Sequence, residues 1–239
     1  SALAVHMAKI LASQGVGVGM ISQEMNARQE IFIRLLSDLA YERGHEIEYV
    51  KVFKKKVSDK DKDYLLGLAQ ELKVQSFAVD DARGLTIDGV CSRVKKLARK
   101  LEAKGTPMKV FFVDHLGLIR LKDPRNKINE IGENCRRLRE LAKSLNATCV
   151  LLSQLSRAVE SREDKTPMLS DLRDSGEIEQ DADAVLFCYR PEYYLERSKP
   201  DPDSADYASW EQHYDQMKNL MQVLVSKQRQ GPIGVSTMF

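Results

Sequence analysis

The run Val110-Phe111-Phe112-Val113-Asp114 decides the fold. Its four apolar residues leave no polar face, so the segment reads as a strand buried in the middle of a sheet. An aspartate closes it. In open α/β sheets ligands gather at the carboxyl ends of the strands, which puts Asp114 where such a sheet does its chemistry. Two further apolar segments end the same way. Residues 16–22 lead into Ile21-Ser22-Gln23-Glu24-Met25, and residues 148–152 lead into Ser153-Gln154.

Helical patterns alternate with these strands. Residues 2–11 and 27–42 read as helices, and Ser58 is expected to cap a third with acids in its first turn. Thr86 is placed as the N-cap of a helix whose stripe is Ile87, Val90, Val94, Leu97 and Leu101, at the spacings of three and four that face a core. Ile128, Ile131, Cys135, Leu138 and Leu145 mark another, with Arg136, Arg137 and Arg139 expected on its solvated face. Residues 76–79 form a short strand, and 148–152 and 184–189 are expected to be buried strands. A late strand at 223–226 and the turn Gly231-Pro232 predict a terminal hairpin over 234–239. The pattern predicts an α/β fold: a mostly parallel central sheet, helices on both faces and a C-terminal β-hairpin. A long polar loop at 156–180 is expected to be functional, and 196–216, rich in Pro and Asp, to be a surface insertion.

The chain has 239 residues, 43% hydrophobic and 30% charged, with a net charge of +2. That balance excludes a global basic footprint, so contact with nucleic acid must come from local patches. No run reaches the roughly 18 apolar residues of a membrane span, and residues 1–15 lack the basic leader and cleavage site of a signal peptide. Cys91, Cys135, Cys149 and Cys188 show no C-x-x-C spacing and are expected to be buried, reduced thiols of a cytoplasmic protein. His6, His45, His115 and His213 are scattered, so no metal cluster is expected.

Glu24 and Asp114 would lie at the ends of adjacent strands. One carboxylate can hold a metal while the other polarises an attacking water, the two tasks phosphate hydrolysis requires. For Glu24 the alternative is a helix N-terminal acid. Gln154, ending a third strand, could hydrogen-bond a γ-phosphate. Lys227 and Arg229 are two cations at alternate positions of a strand.

The strings ISQEM, FFVDHLGLI, LLSQLSR, SDLRDSGEIEQDADAVLFCYRPEYY and SKQRQGPIG resemble, in this order and across nearly the whole chain, the RecA-like motor domain of DnaB-type hexameric replicative DNA helicases. The resemblance implies one motor domain over 1–239, with ATP and Mg²⁺ as cofactors. It implies Glu24 as the water-activating glutamate, Asp114 as the aspartate that places Mg²⁺, and Gln154 as the γ-phosphate sensor. Lys227 and Arg229 resemble the pair inserted into the neighbouring subunit's site, Arg229 being the arginine finger. Arg190 is similar to the arginine that stacks on the nucleotide base. Arg173, Asp174, Ser175 and Gly176 resemble the loop that tracks single-stranded DNA, and Arg157, Arg162 and Lys165 add positive charge nearby. The implied partners are single-stranded DNA, a homo-hexamer, a primase and a helicase loader, in bacterial cytoplasm. The alternatives carried are a RecA-type recombinase and an inactive ring or scaffold subunit.

Two departures stand out. No G-x-x-x-x-G-K-[ST] phosphate loop occurs in the sequence. Residues 1–8 resemble the segment just after the Gly-Lys of that loop, which makes Ser1 the expected Mg²⁺-binding hydroxyl, and a chain without the loop is expected to bind ATP poorly. His115 stands where bacterial members more often carry tyrosine, which resembles phage-type relatives; it is a weak candidate for a base.

Overall fold

The computed structural model describes residues 1–71, 76–172 and 175–238. The chain divides into two compact units, Ser1–Gln154 and Leu155–Phe239.

The first unit is built on four parallel strands. Helix α1 (Ala2–Ser13) leads to strand β1 (Gly17–Ser22), buried along its whole length. A wide π-helical turn at Ala27–Ile31 runs into α2 (Phe32–Glu42), so the single helix expected over 27–42 is two pieces. Helices α3 (Tyr49–Phe53) and α4 (Asp59–Glu71) come next. Ser58 caps α4 as expected, its hydroxyl accepting from Asp61 N–H at 3.1 Å. Then come β2 (Phe77–Asp80), α5 (Ile87–Glu102), β3 (Met108–Asp114), α6 (Lys127–Leu145) and β4 (Thr148–Leu151).

The strand order is β2-β1-β3-β4. The registers Ile21↔Asp80, Ser22↔Asp114 and Val113↔Leu151 bring the carboxyl ends of all four strands level. Helices cover both faces, as alternation of side chains along a strand allows. Val18, Met20 and Phe112 pack with Ala4, Val5, Ala8 and Ala12 of α1. On the other face a Cβ at Gly19 would meet Leu97 of α5 at 3.6 Å. The expected α5 stripe is buried in full, each Val or Leu contributing about 1.5–3 kcal/mol. Thr86 caps α5, accepting from Gly89 N–H at 3.4 Å. Gly17 is required where β1 starts, because a Cβ there would lie 2.4 Å from the Pro107 carbonyl oxygen.

The second unit opens with 3₁₀ turns at Arg157–Ser161 and Leu169–Asp171. It continues through α7 (Ser175–Asp181), β5 (Ala184–Tyr189), α8 (Pro191–Arg197), α9 (Tyr207–Met217), β6 (Met221–Gln228) and β7 (Gly234–Met238). Its sheet is antiparallel, in the order β5-β6-β7, and β6–β7 is the expected hairpin.

Three expectations need correction. Strands β4 and β5 are not buried throughout: Thr148 is exposed and the rest of β4 half-covered, while β5 alternates exposed and covered residues. Among the described residues β4 pairs only with β3, and β5 only with β6. An apolar run does not reveal whether its strand lies at an edge. Cys188, on the uncovered side of β5, is exposed, whereas Cys91 and Cys135 are buried. The stretch 156–180 is not a bare loop but contains the two 3₁₀ turns and most of α7. The insertion at 196–216 holds α9, tied down where Trp210 Nε1–H donates to the Leu195 carbonyl oxygen at 2.9 Å.

Candidate functional site

The carboxyl edge of the four-stranded sheet gathers three of the expected residues. Asp114, the last residue of β3, is 1% exposed. Its Oδ2 is buried with no hydrogen-bond partner. A buried carboxylate without compensation costs several kcal/mol, so this oxygen calls for a cation. Beside it, Gln23 N–H donates to the Asp114 carbonyl oxygen at 2.9 Å, carrying the β1–β3 ladder into the turn that bears Glu24. Gln23 is 4% exposed, His115 7%, and Gln23 Nε2 and His115 Nδ1 are likewise buried without partners. Three unpartnered buried polar atoms thus gather at one sheet edge, where a ligand or water can complete them.

The Glu24 turn is fixed by its backbone. Ser22 Oγ accepts from Met25 N–H and donates to the Met25 carbonyl oxygen, both at 3.1 Å. Asn26 N–H donates to Glu30 Oε2 at 2.7 Å, and Asn26 Oδ1 accepts from Gln29 N–H at 3.0 Å. Helix-start donors are therefore met by Glu30 and Asn26, not by Glu24. The Glu24 side chain is exposed at the edge, which disfavours the helix-cap alternative.

Gln154 comes after β4, the neighbour of β3. Leu152 N–H donates to the Val113 carbonyl oxygen at 3.0 Å and Leu116 N–H to that of Leu152 at 2.9 Å. These bonds prolong the β3–β4 ladder past the strand and leave Gln154 exposed beyond it. Ser1 stands at the N-cap of α1 and makes no side-chain cap bond, so its hydroxyl has no role in holding the helix.

In the second unit Lys227 and Arg229 meet the C-terminal end of α7. Lys227 Nζ donates to the Glu179 carbonyl oxygen, and Arg229 Nη2 donates to that of Gln180 at 2.6 Å. Arg190 precedes α8 and donates to Glu192 Oε2 at 2.8 Å. Arg157 is exposed at the start of its 3₁₀ turn, and Gly176 lies in the first turn of α7. Arg173, Asp174 and the Ser175 side chain lie outside the described residues.

Some charges read as DNA-facing or solvated have internal work. Arg162 forks onto Asp171 at 2.9 and 2.8 Å and reaches the Thr166 carbonyl oxygen at 2.9 Å. Asp171 is buried, so this pair braces the 156–172 stretch. Lys165 Nζ donates to the Glu160 carbonyl oxygen at 2.8 Å. Arg136 pairs with Glu133 at 2.7 Å and with Glu140, as a solvated helix face would. Arg137 pairs with Asp88 of α5 at 2.6 Å, and its guanidinium holds the Asp88 carboxyl below the usual range. Burial pushes the Cys149 thiol up to about 12, which leaves it unreactive near neutrality.

One cluster was hidden in the sequence. Packing of α1 on α2 brings ligand atoms of His6, Asp38 and Glu42 within 4.8 Å of one another. The scattered histidines gave no sign of this. The Lys9 ammonium lies 2.6 Å from Asp38 and 2.8 Å from Glu42, so a cation already neutralises the acids and the cluster serves as a helix–helix clamp.

The DnaB-like helicase C terminal domain family model matches residues 1–239. The replicative DNA helicase DnaB of Rickettsia typhi is 40% identical over 223 residues, covering 93% of this chain and 43% of that protein. The DnaB of Buchnera aphidicola is 35% identical over 217 residues, covering 90% and 41%. The chain thus spans less than half the length of these relatives. Among solved structures, one described as an ATPase domain superposes with a TM-score of 0.77 at 29% identity, over 99% of this chain and 75% of that one. A DnaB-like replicative helicase, described with its interactions with primase, superposes with a TM-score of 0.79 at 29% identity, over 99% and 51%.

Proposed function

The chain belongs to the DnaB-like helicase C-terminal domain family, and on that premise we propose that residues 1–239 are the RecA-like motor of a ring-shaped hexamer. The ring hydrolyses ATP to move along single-stranded DNA and part the duplex at a replication fork. The observation that carries this reading is Asp114: a buried carboxylate with an unpartnered oxygen, one hydrogen bond from the turn that presents Glu24. The curated relatives and one of the solved structures are named for replicative helicases, which favours this activity over a recombinase.

The donor set fits Mg²⁺, a hard cation that takes carboxylate and hydroxyl oxygens and nucleotide phosphates. Asp114 Oδ2 and the Ser1 hydroxyl would hold it. When bound it neutralises charge on the β- and γ-phosphates. Glu24 orients the attacking water and takes its proton. Gln154 hydrogen-bonds the γ-phosphate and senses its departure. Lys227 and Arg229 reach the nucleotide held by the neighbouring protomer, where an arginine finger contributes roughly 10³–10⁵ in rate. Arg190 stacks on the base.

For the DNA path, the guanidinium groups of Arg157 and Arg173 and the backbone N–H groups of Asp174, Ser175 and Gly176 grip phosphates, which requires no reading of bases. A primase and a loader complete the assembly in the bacterial cytoplasm. No helix among the described residues is long and apolar enough to cross a membrane.

The test is strand displacement and DNA-stimulated ATP hydrolysis by the full-length protein. Glu24→Gln should reduce both to a small residual rate while nucleotide still binds. Hydrolysis that survives Glu24→Gln undiminished would refute the assignment of the water-activating group.

A further inference from the structure

The turn that carries Glu24 is held from outside by one short loop. Asp81 Oδ2 accepts from Ala27 N–H at 2.9 Å. Leu85 N–H donates to Gln23 Oε1 at 2.9 Å. Arg83 Nη2 donates to the Glu24 carbonyl oxygen at 3.2 Å. All three contacts come from residues 81–85, which leave β2 at the same sheet edge.

The loop is itself anchored at both ends. Arg93 of α5 donates through Nη1 to both carboxylate oxygens of Asp80, at 2.9 and 2.7 Å, and Ala82 N–H donates to Asp80 Oδ1 at 3.1 Å. At the far end Arg120 N–H donates to the Leu85 carbonyl oxygen at 2.8 Å, directly before Thr86 caps α5. A short segment tied to Arg93 of α5 at one end and to Arg120 through an isolated backbone bridge at the other is held at both ends.

Glu24 needs such a support. Its side chain is exposed, and the packing that fixes a buried carboxylate is not available to it. A water-activating group has to sit within about 0.5 Å of its productive place, and a displacement of about 1 Å can cost on the order of 10²-fold in rate. The bonds from Asp81 and to Gln23 are half-buried, whereas the Arg83 bond is exposed and so weaker.

We infer that the loop of residues 81–85 is the positioning element for Glu24 in hydrolysis, with Asp81 its principal contact and Gln23 and Arg83 supporting. The inference rests on Glu24 being the water-activating group. Asp81 acts through its bond to Ala27 N–H, which sets the path of the backbone from which Glu24 projects.

The experiment uses the full-length ring and measures kcat, KM for ATP and thermal midpoint. The variants are Asp81→Ala, Asp81→Asn, Arg83→Ala, Glu24→Gln, and Glu24→Gln combined with each alanine change. Asp81→Ala should lower kcat about ten- to a hundredfold with KM unchanged. Asp81→Asn keeps an acceptor oxygen for Ala27 N–H and should restore most of the rate. In the Glu24→Gln background neither alanine change should lower the residual rate further, since both act through the group already removed. Wild-type kcat in Asp81→Ala would overturn the inference, as would a loss that multiplies with that of Glu24→Gln. If Asp81→Ala fails to fold, Arg83→Ala carries the same test with a smaller loss, and an Arg83→Ala rate equal to wild type overturns the inference. An inactive Glu24→Gln beside a fully active Asp81→Ala defeats only the positioning role. A fully active Glu24→Gln defeats the reading of Glu24 beneath it.

Discussion

The Arg229 guanidinium donates to the Gln180 carbonyl oxygen at 2.6 Å. Lys227, on β6, donates to the carbonyl of Glu179, while Arg229 lies in the turn just past the end of that strand rather than on it. Both cations therefore sit at the C-terminal end of α7, where carbonyl oxygens lack helical partners and the helix dipole favours positive charge. Helix α7 begins at Ser175, beside the loop assigned to DNA. The residues assigned to the neighbour's nucleotide are thus held by the backbone of the helix that comes after the DNA loop.

Lys227→Ala should loosen α7. A net hydrogen bond contributes about 0.5–1.5 kcal/mol, so amide exchange within 179–183 should quicken by roughly two- to tenfold. Hydrogen-exchange mass spectrometry of the nucleotide-free protein reads this directly. Unchanged exchange would show that the contact does not restrain the helix.

Asp114→Asn should separate stability from activity. The substitution removes a buried charge whose Oδ2 has no partner, so the nucleotide-free protein should gain on the order of 1 kcal/mol. Mg²⁺-dependent hydrolysis should be lost. Thermal melts with and without Mg²⁺ and ATP check both statements, and a destabilised Asp114→Asn protein would show that the carboxylate is compensated from within the fold.

The Asp88–Arg137 pair ties α5 to α6 at 2.6 Å. Arg137 depresses the Asp88 carboxyl, so the stabilisation is present above the unfolded carboxylate pKa and is lost as pH falls through the lower folded value. Asp88→Asn should therefore lower the thermal midpoint slightly at pH 7 and match wild type at a pH low enough to protonate Asp88 of the wild type in both its folded and unfolded states. The pair is exposed, so the effect is small and should shrink in salt. A midpoint difference that persists at low pH would assign it to something other than charge.

Much of the site was legible because Ser22, Asp114 and Ser153 each interrupt an apolar run, and a polar residue at the end of a buried strand has few reasons to be there besides a ligand. The parallel order of β1, β3 and β4 then places Glu24, Asp114 and Gln154 along one edge. The loop of residues 81–85 escaped because its work is done through bonds to backbone atoms by a polar turn with no periodicity. Asp38 and Lys9 escaped because α1 and α2 meet only in the fold. Arg162, expected only to add positive charge near the loop, pairs instead with Asp171, and nothing in a polar stretch shows in advance that such a partner is buried.

The central claim is that acids on one protomer and cations on the next share one site. It is tested by mixing. Full-length Glu24→Gln and Arg229→Ala rings are each expected to hydrolyse almost nothing. Subunits exchanged between them should regain hydrolysis, because some interfaces then carry an intact Glu24 facing an intact Arg229. Mixed rings as inactive as either parent would contradict the account.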